Sequence, residues 1–357
     1  CRSDLDAVRR PLLESAVDSG PDWDRVVRKG RYHRLLGLLH HHLGGCGLTD
    51  TVPAAALDAI VETRSQMDDG RTRQQAALET CRASLDASGL DYLLVKGPTL
   101  QPLYPAGVTR TAGDLDFLVH EEDHAAVTAT LEEAGFRLQT PVPPGLSPAQ
   151  TMAYCQTFEQ LRFLDGGGGE VELHFRLHNY GPPGVSEAAW DHVARWSLAD
   201  GSTVNGIALE ELFLYLVSHV NLHAFGRILW YYDVAEFYAA WGAQIDWTLL
   251  RDRARARRLD LSFHESLRWI LQLLWPEWQL DDGLAPLRPA PWRRAWFQRA
   301  WRRHEVFALG SWIRPFDASR YYLLGGDGPW RKLGYLWHVL VPPSTWLAAH
   351  LGCEPGP

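Results

Sequence analysis

Apolar residues recur every three and four positions through the first stretch of the chain. They fall at Val26, Leu35, Leu36, Leu38 and Leu39, then Leu57, Ile60 and Val61, then Ala77, Leu78 and Leu85. That period lines up one face of an α-helix and predicts several helices up to about residue 88. Gly20-Pro21-Asp22 and Gly44-Gly45 with Gly47 mark the breaks between them. The pattern changes at Leu90-Asp91-Tyr92-Leu93-Leu94-Val95, a short β-rich run ended by Gly97-Pro98, and again at Leu115-Asp116-Phe117-Leu118-Val119. Both read as strands. Residues 99–104 between them suit a short helix with Pro98 at its first turn, and 124–134 suit a helix closed by Gly135.

Phe136-Arg137-Leu138 starts a third strand, followed by a proline-bearing loop over 141–148. Residues 158–164 and 170–177 alternate apolar and polar around Asp165 and the run Gly166-Gly167-Gly168-Gly169, which predicts a hairpin. From residue 209 the helical period returns, over 209–225, 228–241, 247–259, 263–274, 291–304 and 330–339. No internal repeat is visible. The expected fold is α+β: a small mixed-sheet core over 86–204 between an N-terminal helical region, 1–85, and a C-terminal one, 205–357.

Composition narrows the function classes. With 357 residues, 46% of them hydrophobic and 22% charged, the chain buries a core and lies far from the signature of disorder. Its best apolar runs, 212–220 and 333–341, fall well short of the roughly 20 residues that span a bilayer, so no membrane role is expected. A net charge of -8 disfavours nucleic acid as a partner. The five cysteines are dispersed and odd in number, which fits neither a disulfide framework nor a zinc knuckle. Residues 1–6 lack the basic-then-apolar order of a secretory signal, and the expectation is a cytoplasmic protein. Of 35 basic residues only three are lysines, Lys29, Lys96 and Lys332. That skew points to a GC-rich bacterial genome and makes the placement of each lysine informative.

Candidate chemistry begins at Asp114 and Asp116. Two apart on a strand, both carboxylates leave the same face of the sheet, and two anions held together are unfavourable unless a cation joins them. An Asp-x-Asp by itself is weak, since solvent-facing charges or a cap explain it too. Here the flanking Leu115, Phe117, Leu118 and Val119 set the acids at the end or open face of a packed strand, where a hard divalent ion would bind. A third acid is then expected from another strand. In Glu170-Val171-Glu172-Leu173-His174, Glu172 and His174 share one face among apolar neighbours. Alone, Glu172 reads as a solvated charge; with the aspartates it reads as the third ligand.

These residues resemble the nucleotidyltransferases of the DNA polymerase beta-like superfamily, and more closely a bacterial family labelled uncharacterised nucleotidyltransferase. The resemblance rests on the run from Lys96-Gly97 through Tyr104 and Arg110 to Asp114-Leu115-Asp116-Phe117-Leu118-Val119, and on Val171-Glu172-Leu173-His174. It extends to His219-Val220-Asn221-Leu222-His223 with Arg227, Trp230 and Asp233, and to the tail Leu340-Val341-Pro342-Pro343-Ser344. It implies a nucleotidyltransferase core in which Asp114 and Asp116 bind two Mg2+ (or Mn2+) ions and Glu172 completes the triad as ligand and nearest base. It also implies that Lys96, Gly97, Thr99 and Arg110 hold the nucleotide. The residues themselves leave other roles open: Gly97 making only a turn, Lys96 laying its stem along apolar surface, Arg110 pairing with Asp114. The wider superfamily usually has Gly-Ser or Gly-Gly where this chain has Gly97-Pro98. Pro98 has no N–H to offer, which shifts the expected triphosphate grip to Lys96, Thr99 and Arg110.

His219 and His223 lie one helical turn apart, a spacing that can hold zinc, and His40, His41 and His42 form a run. Neither set has a third ligand, and His219, His223, Arg227 and Asp233, with His174, are expected instead as the polar lining of a pocket. Thirteen of the 16 tryptophans fall between Trp230 and Trp346, with Arg293, Arg294, Arg299, Arg302 and Arg303 on one predicted helix. They could stack on a base or cradle a peptide, and core packing with a solvated basic face explains them more simply. The expected activity is transfer of a nucleoside monophosphate from an NTP, ATP among them, to a hydroxyl or phosphate of a small molecule or modified peptide, in keeping with a role in peptide natural-product biosynthesis. The alternatives are glycosyl or phosphosugar transfer from a sugar nucleotide on the same fold, and a non-catalytic nucleotide- or partner-binding protein.

Overall fold

The computed structural model describes residues 9–140, 160–177, 189–223, 226–274 and 282–301. The loop expected over 141–148, the first residues of the hairpin at 158–159, the end of the helix at 302–304, the helix over 330–339 and the tail 340–344 lie outside the described residues. Helices in chain order are α1 (Arg9–Asp18), α2 (Trp23–His33), α3 (Leu36–Gly45), α4 (Ala54–Ala87), α5 (His124–Glu133), α6 (Leu209–Leu222), α7 (Ile228–Trp241), α8 (Trp247–Ala256), α9 (Asp260–Leu274) and α10 (Pro291–Trp301). The strands are β1 (Tyr92–Leu94), β2 (Leu115–Val119), β3 (Arg137–Leu138), β4 (Gln160–Leu164), β5 (Glu170–His174), β6 (Val193–Ser197) and β7 (Thr203–Ile207). None of the described helices is long and apolar enough to cross a membrane.

Two compact units result. Described residues up to 69, 100–111 and those from 213 onward form the first; 70–99 and the described part of 112–212 form the second. The first unit is helical. Val17 of α1, Val27 of α2, Leu36 and Leu43 of α3, and Ala56 and Ile60 of α4 meet in one buried cluster with Val52, which takes in Leu36 and Ile60 of the positions the spacing picked out, whereas Val61 is 47% exposed. Asp22 caps α2 by accepting from the Arg25 N–H at 2.9 Å. Later in the same unit the Phe213 ring of α6 stacks on Phe237 of α7 at 5.2 Å and meets Phe263 of α9 edge-on at 5.7 Å.

The second unit is built on a seven-stranded mixed sheet in the order β3-β4-β5-β2-β1-β7-β6. Strands β2 and β5 run parallel, as do β1 and β7, and the remaining neighbours are antiparallel. Leu115, Phe117, Val171, Leu173, Leu161 and Phe163 are 2% exposed or less. Each such burial contributes roughly 1.5–3 kcal/mol. This packing explains why β2 reads as an almost continuous apolar run. Asp165 closes the β4–β5 turn by accepting from the N–H groups of Gly167 and Gly169 at 2.8 and 2.7 Å.

The hairpin of β6 and β7 was not among the strands expected from the sequence. One face of it is solvated: Val193, Ser197, Thr203 and Asn205 are exposed, and Trp196, Val204 and Ile207 carry the burial. Residue 204, expected as the last of the α/β core, lies within β7. Gly206 sits between β1 and β6, and a Cβ there would fall 2.6 Å from the Leu94 carbonyl oxygen and 2.7 Å from Trp196 Cδ1. The Trp196 ring is fixed by its Nε1–H, which donates to the Ile207 carbonyl at 3.0 Å. Gly206→Ala is therefore expected to force β1 and β6 apart and cost about 1–3 kcal/mol, as overpacking does. Urea unfolding checks this, and an unchanged midpoint would show that β1 has room to move.

Candidate active site

The alternation of β2 and β5 sorts their side chains. Leu115, Phe117 and Val119 take one face of β2 and Val171 and Leu173 the same face of β5, which leaves Asp116, Glu172 and His174 on the opposite face. Parallel pairing aligns Asp116 with Glu172 and Leu118 with His174, so the two acids stand side by side on adjacent strands. Asp116, Glu172 and His174 each offer a ligand atom, and these atoms lie within 4.8 Å of one another. His174 Nε2 is 2.9 Å from Asp116 Oδ1 and 3.8 Å from Glu172 Oε2.

Lys96 enters from β1. The Val95 N–H donates to the Asp116 carbonyl at 2.9 Å and carries the β1–β2 pairing one residue past the strand, which sets Lys96 over the acids. Its ammonium donates to Asp116 Oδ2 at 2.5 Å and stands 3.6 Å from Asp114 Oδ1. The Lys96 and Asp116 side chains are 9% and 2% exposed, and Asp114 is 34% exposed. Gly97 follows with φ +90°, a backbone region that side chains other than glycine rarely adopt, and this turns the chain into the short 3-10 helix Pro98–Leu103. Thr99 is buried, and among the described residues its Oγ1 has no hydrogen-bond partner.

Charge is unevenly shared across this face. Burial works to raise the Asp116 carboxyl, but the Lys96 charge and the His174 hydrogen bond more than offset it and hold Asp116 far below the usual carboxylate range. Glu172 goes the other way. Burial first, then the charges of Asp114 and Asp116, push it up to about 7 against the opposing pull of His174 and Lys96. A carboxyl that resists ionising beside two others marks a place where added positive charge is favourable. Two carboxylates and one imidazole nitrogen can each supply a ligand atom, so the residues present fit a divalent ion.

The remaining residues singled out from the sequence lie in the helical unit. Arg110 pairs with Asp233. Its Nε and Nη2 donate to Asp233 Oδ1 and Oδ2 at 2.9 and 2.8 Å, and the Tyr104 hydroxyl donates to Asp233 Oδ1 at 2.7 Å. The His219 and His223 rings lie 4.4 Å apart with their planes tilted at 57°, each 4.9 Å from Trp230, and Arg227 lies 5.4 Å over the Trp230 ring. Among the described residues, the one group of three that could hold a metal is Asp116, Glu172 and His174. Sequence reasoning put His174 in a pocket wall and missed it as a ligand-capable neighbour of Asp116. The signal was present in the Glu-x-His spacing, which sends both side chains to the face that Asp116 occupies.

A family model described as an uncharacterised nucleotidyltransferase matches residues 19–274. The match takes in Lys96, Asp114, Asp116, Glu172 and His174, and also the Arg110–Asp233 pair. No curated protein matches the chain.

Proposed function

This chain belongs to the uncharacterised nucleotidyltransferase family, a family of transferases, and from that membership we propose that it moves a nucleoside monophosphate from an NTP, ATP among them, to a hydroxyl or phosphate of a small molecule or modified peptide. The observation that carries this reading is the register of β2 against β5, which sets Asp116 beside Glu172 with His174 in reach of both. Membership of the DNA polymerase beta-like superfamily, a cytoplasmic setting in a bacterium and a place in peptide natural-product biosynthesis are parts of the same proposal.

Asp114, Asp116 and Glu172, with His174 beside them, would hold Mg2+ or Mn2+. Bound there, such ions supply Lewis-acid charge that stabilises the attacking and leaving oxygens of an in-line displacement. Glu172 takes the proton of the acceptor hydroxyl, a role that its place beside Asp116 supports. The hydroxyl oxygen forms a bond to the α-phosphorus while the bridging bond to the β-phosphate breaks, and pyrophosphate leaves with the electron pair. Lys96 faces the phosphate oxygens. Gly97 lets the backbone approach them, and the Thr99 hydroxyl, which has no partner among the described residues, has a donor to give. Arg110 holds Asp233 and through it orders residues 100–111.

Incubation with each labelled NTP, Mg2+ or Mn2+ and extract-derived acceptors tests the proposal. A nucleotide-mass adduct and pyrophosphate release that EDTA abolishes are expected. A hexose-mass adduct would transfer the reading to sugar nucleotides, and nucleotide affinity indifferent to metal with no adduct would leave only a binding protein.

A further inference from the structure

We propose that Lys96 is a built-in stand-in for the divalent ion: in the nucleotide-free protein its ammonium occupies the cation seat of Asp116 and Asp114, and it must leave those oxygens before an ion takes them. The inference rests on the nucleotidyltransferase reading and goes beyond it, since that reading gives Lys96 only the phosphates. The geometry points there. The ammonium bonds Asp116 Oδ2 at 2.5 Å and lies 3.6 Å from Asp114 Oδ1, so one cation bridges the two carboxylates assigned to the metal. Nearly all of it is buried, where exchange with water is a poor alternative and a charge survives only beside its partner.

Two features let the ammonium move without unmaking the sheet. Lys96 lies just beyond β1, its backbone anchored through the neighbouring Val95, and four methylenes separate the charge from that anchor. Gly97 at φ +90° follows directly, so the chain leaves the strand with a turn beside the acids. A triphosphate offers the ammonium a stronger anion than the aspartates do, and its departure frees Asp116 and Asp114 as ligands. Nucleotide and ion therefore enter together, because each raises affinity for the other by removing the same lysine from the same seat. Without nucleotide, the ammonium already offsets one of the two aspartate charges and the ion gains less.

Binding of Mn2+ alone, followed by the loss of its free EPR signal, tests the idea with no nucleotide and no turnover. Wild-type protein is expected to bind weakly. Lys96→Met and Lys96→Gln are expected to bind Mn2+ at least about tenfold more tightly, within the usual range of such couplings, and Lys96→Arg to stay close to wild type because it keeps the charge. Removal of the buried cation leaves the acids facing one another, so the Met variant should melt earlier than wild type without metal and recover when Mn2+ is added. Should that variant fold only with Mn2+, the same conclusion holds. Met and Gln variants that bind Mn2+ no better than wild type, while Asp116→Asn abolishes binding, would overturn the stand-in and leave the transferase reading in place. If wild type and every variant ignore Mn2+, Asp116→Asn included, both fall.

Discussion

Asp116→Asn is expected to lower kcat for nucleotide transfer by about a thousandfold and to abolish divalent-ion binding. Asparagine keeps the shape of the side chain but removes the charge that the β2–β5 register places beside Glu172 and His174. Metal stabilisation of a phosphoryl transition state amounts to several kcal/mol, and about 4 kcal/mol converts to that factor. The substitution also removes the closest partner of Lys96, leaving Asp114 at 3.6 Å to share its charge. Some loss of stability follows, because a buried cation is left underpaired. The assay therefore belongs at a temperature where circular dichroism shows the variant folded. Transfer within tenfold of wild type under that condition would remove Asp116 from the reaction, and with it the proposed site.

The second large effect is structural. Arg110 and Asp233 are 8% and 1% exposed, joined by a two-pronged hydrogen bond that the Tyr104 hydroxyl reinforces. Asp233→Ala should destabilise the helical unit by about 3–5 kcal/mol, because the guanidinium stays buried without its partner. For a unit of this size that is a fall in Tm of roughly 6–20 °C. Exchanging both members, Arg110→Met with Asp233→Leu, should recover most of the loss, since an apolar pair of similar volume replaces the ions without leaving a charge stranded. Calorimetry of the single and double variants measures it. A double variant as unstable as Asp233→Ala would mean that Tyr104 and the neighbouring backbone depend on the carboxylate itself.

The parts of the fold that were legible are those with one-dimensional signatures. Strand β1 announces itself by an apolar run ended by Gly97-Pro98, β5 by apolar-polar alternation after four glycines, and β2 by an apolar run in which the charged acids are conspicuous. The β6–β7 hairpin went unseen although Asp200-Gly201 is a strong turn signal and Gly201 adopts φ +83°. Its solvated face dilutes the alternation, and Asn205 and Gly206 are poor strand formers whose place is fixed by Leu94 and Trp196 across the pairing. What no local pattern carries is register. That His174 reaches Asp116, or that Arg110 meets Asp233, 123 positions away, depends on which strands and helices become neighbours.

The side-by-side acids come from strands separated by 56 positions, with β5 lying between β4 and β2 in the sheet. A growing polypeptide on the ribosome thus carries Asp116 long before it carries the partner that gives that carboxylate its use. On the proposed reading, a chain that ends before β5 carries Asp116 without Glu172 or His174, and it is expected neither to bind the ion at that seat nor to transfer a nucleotide.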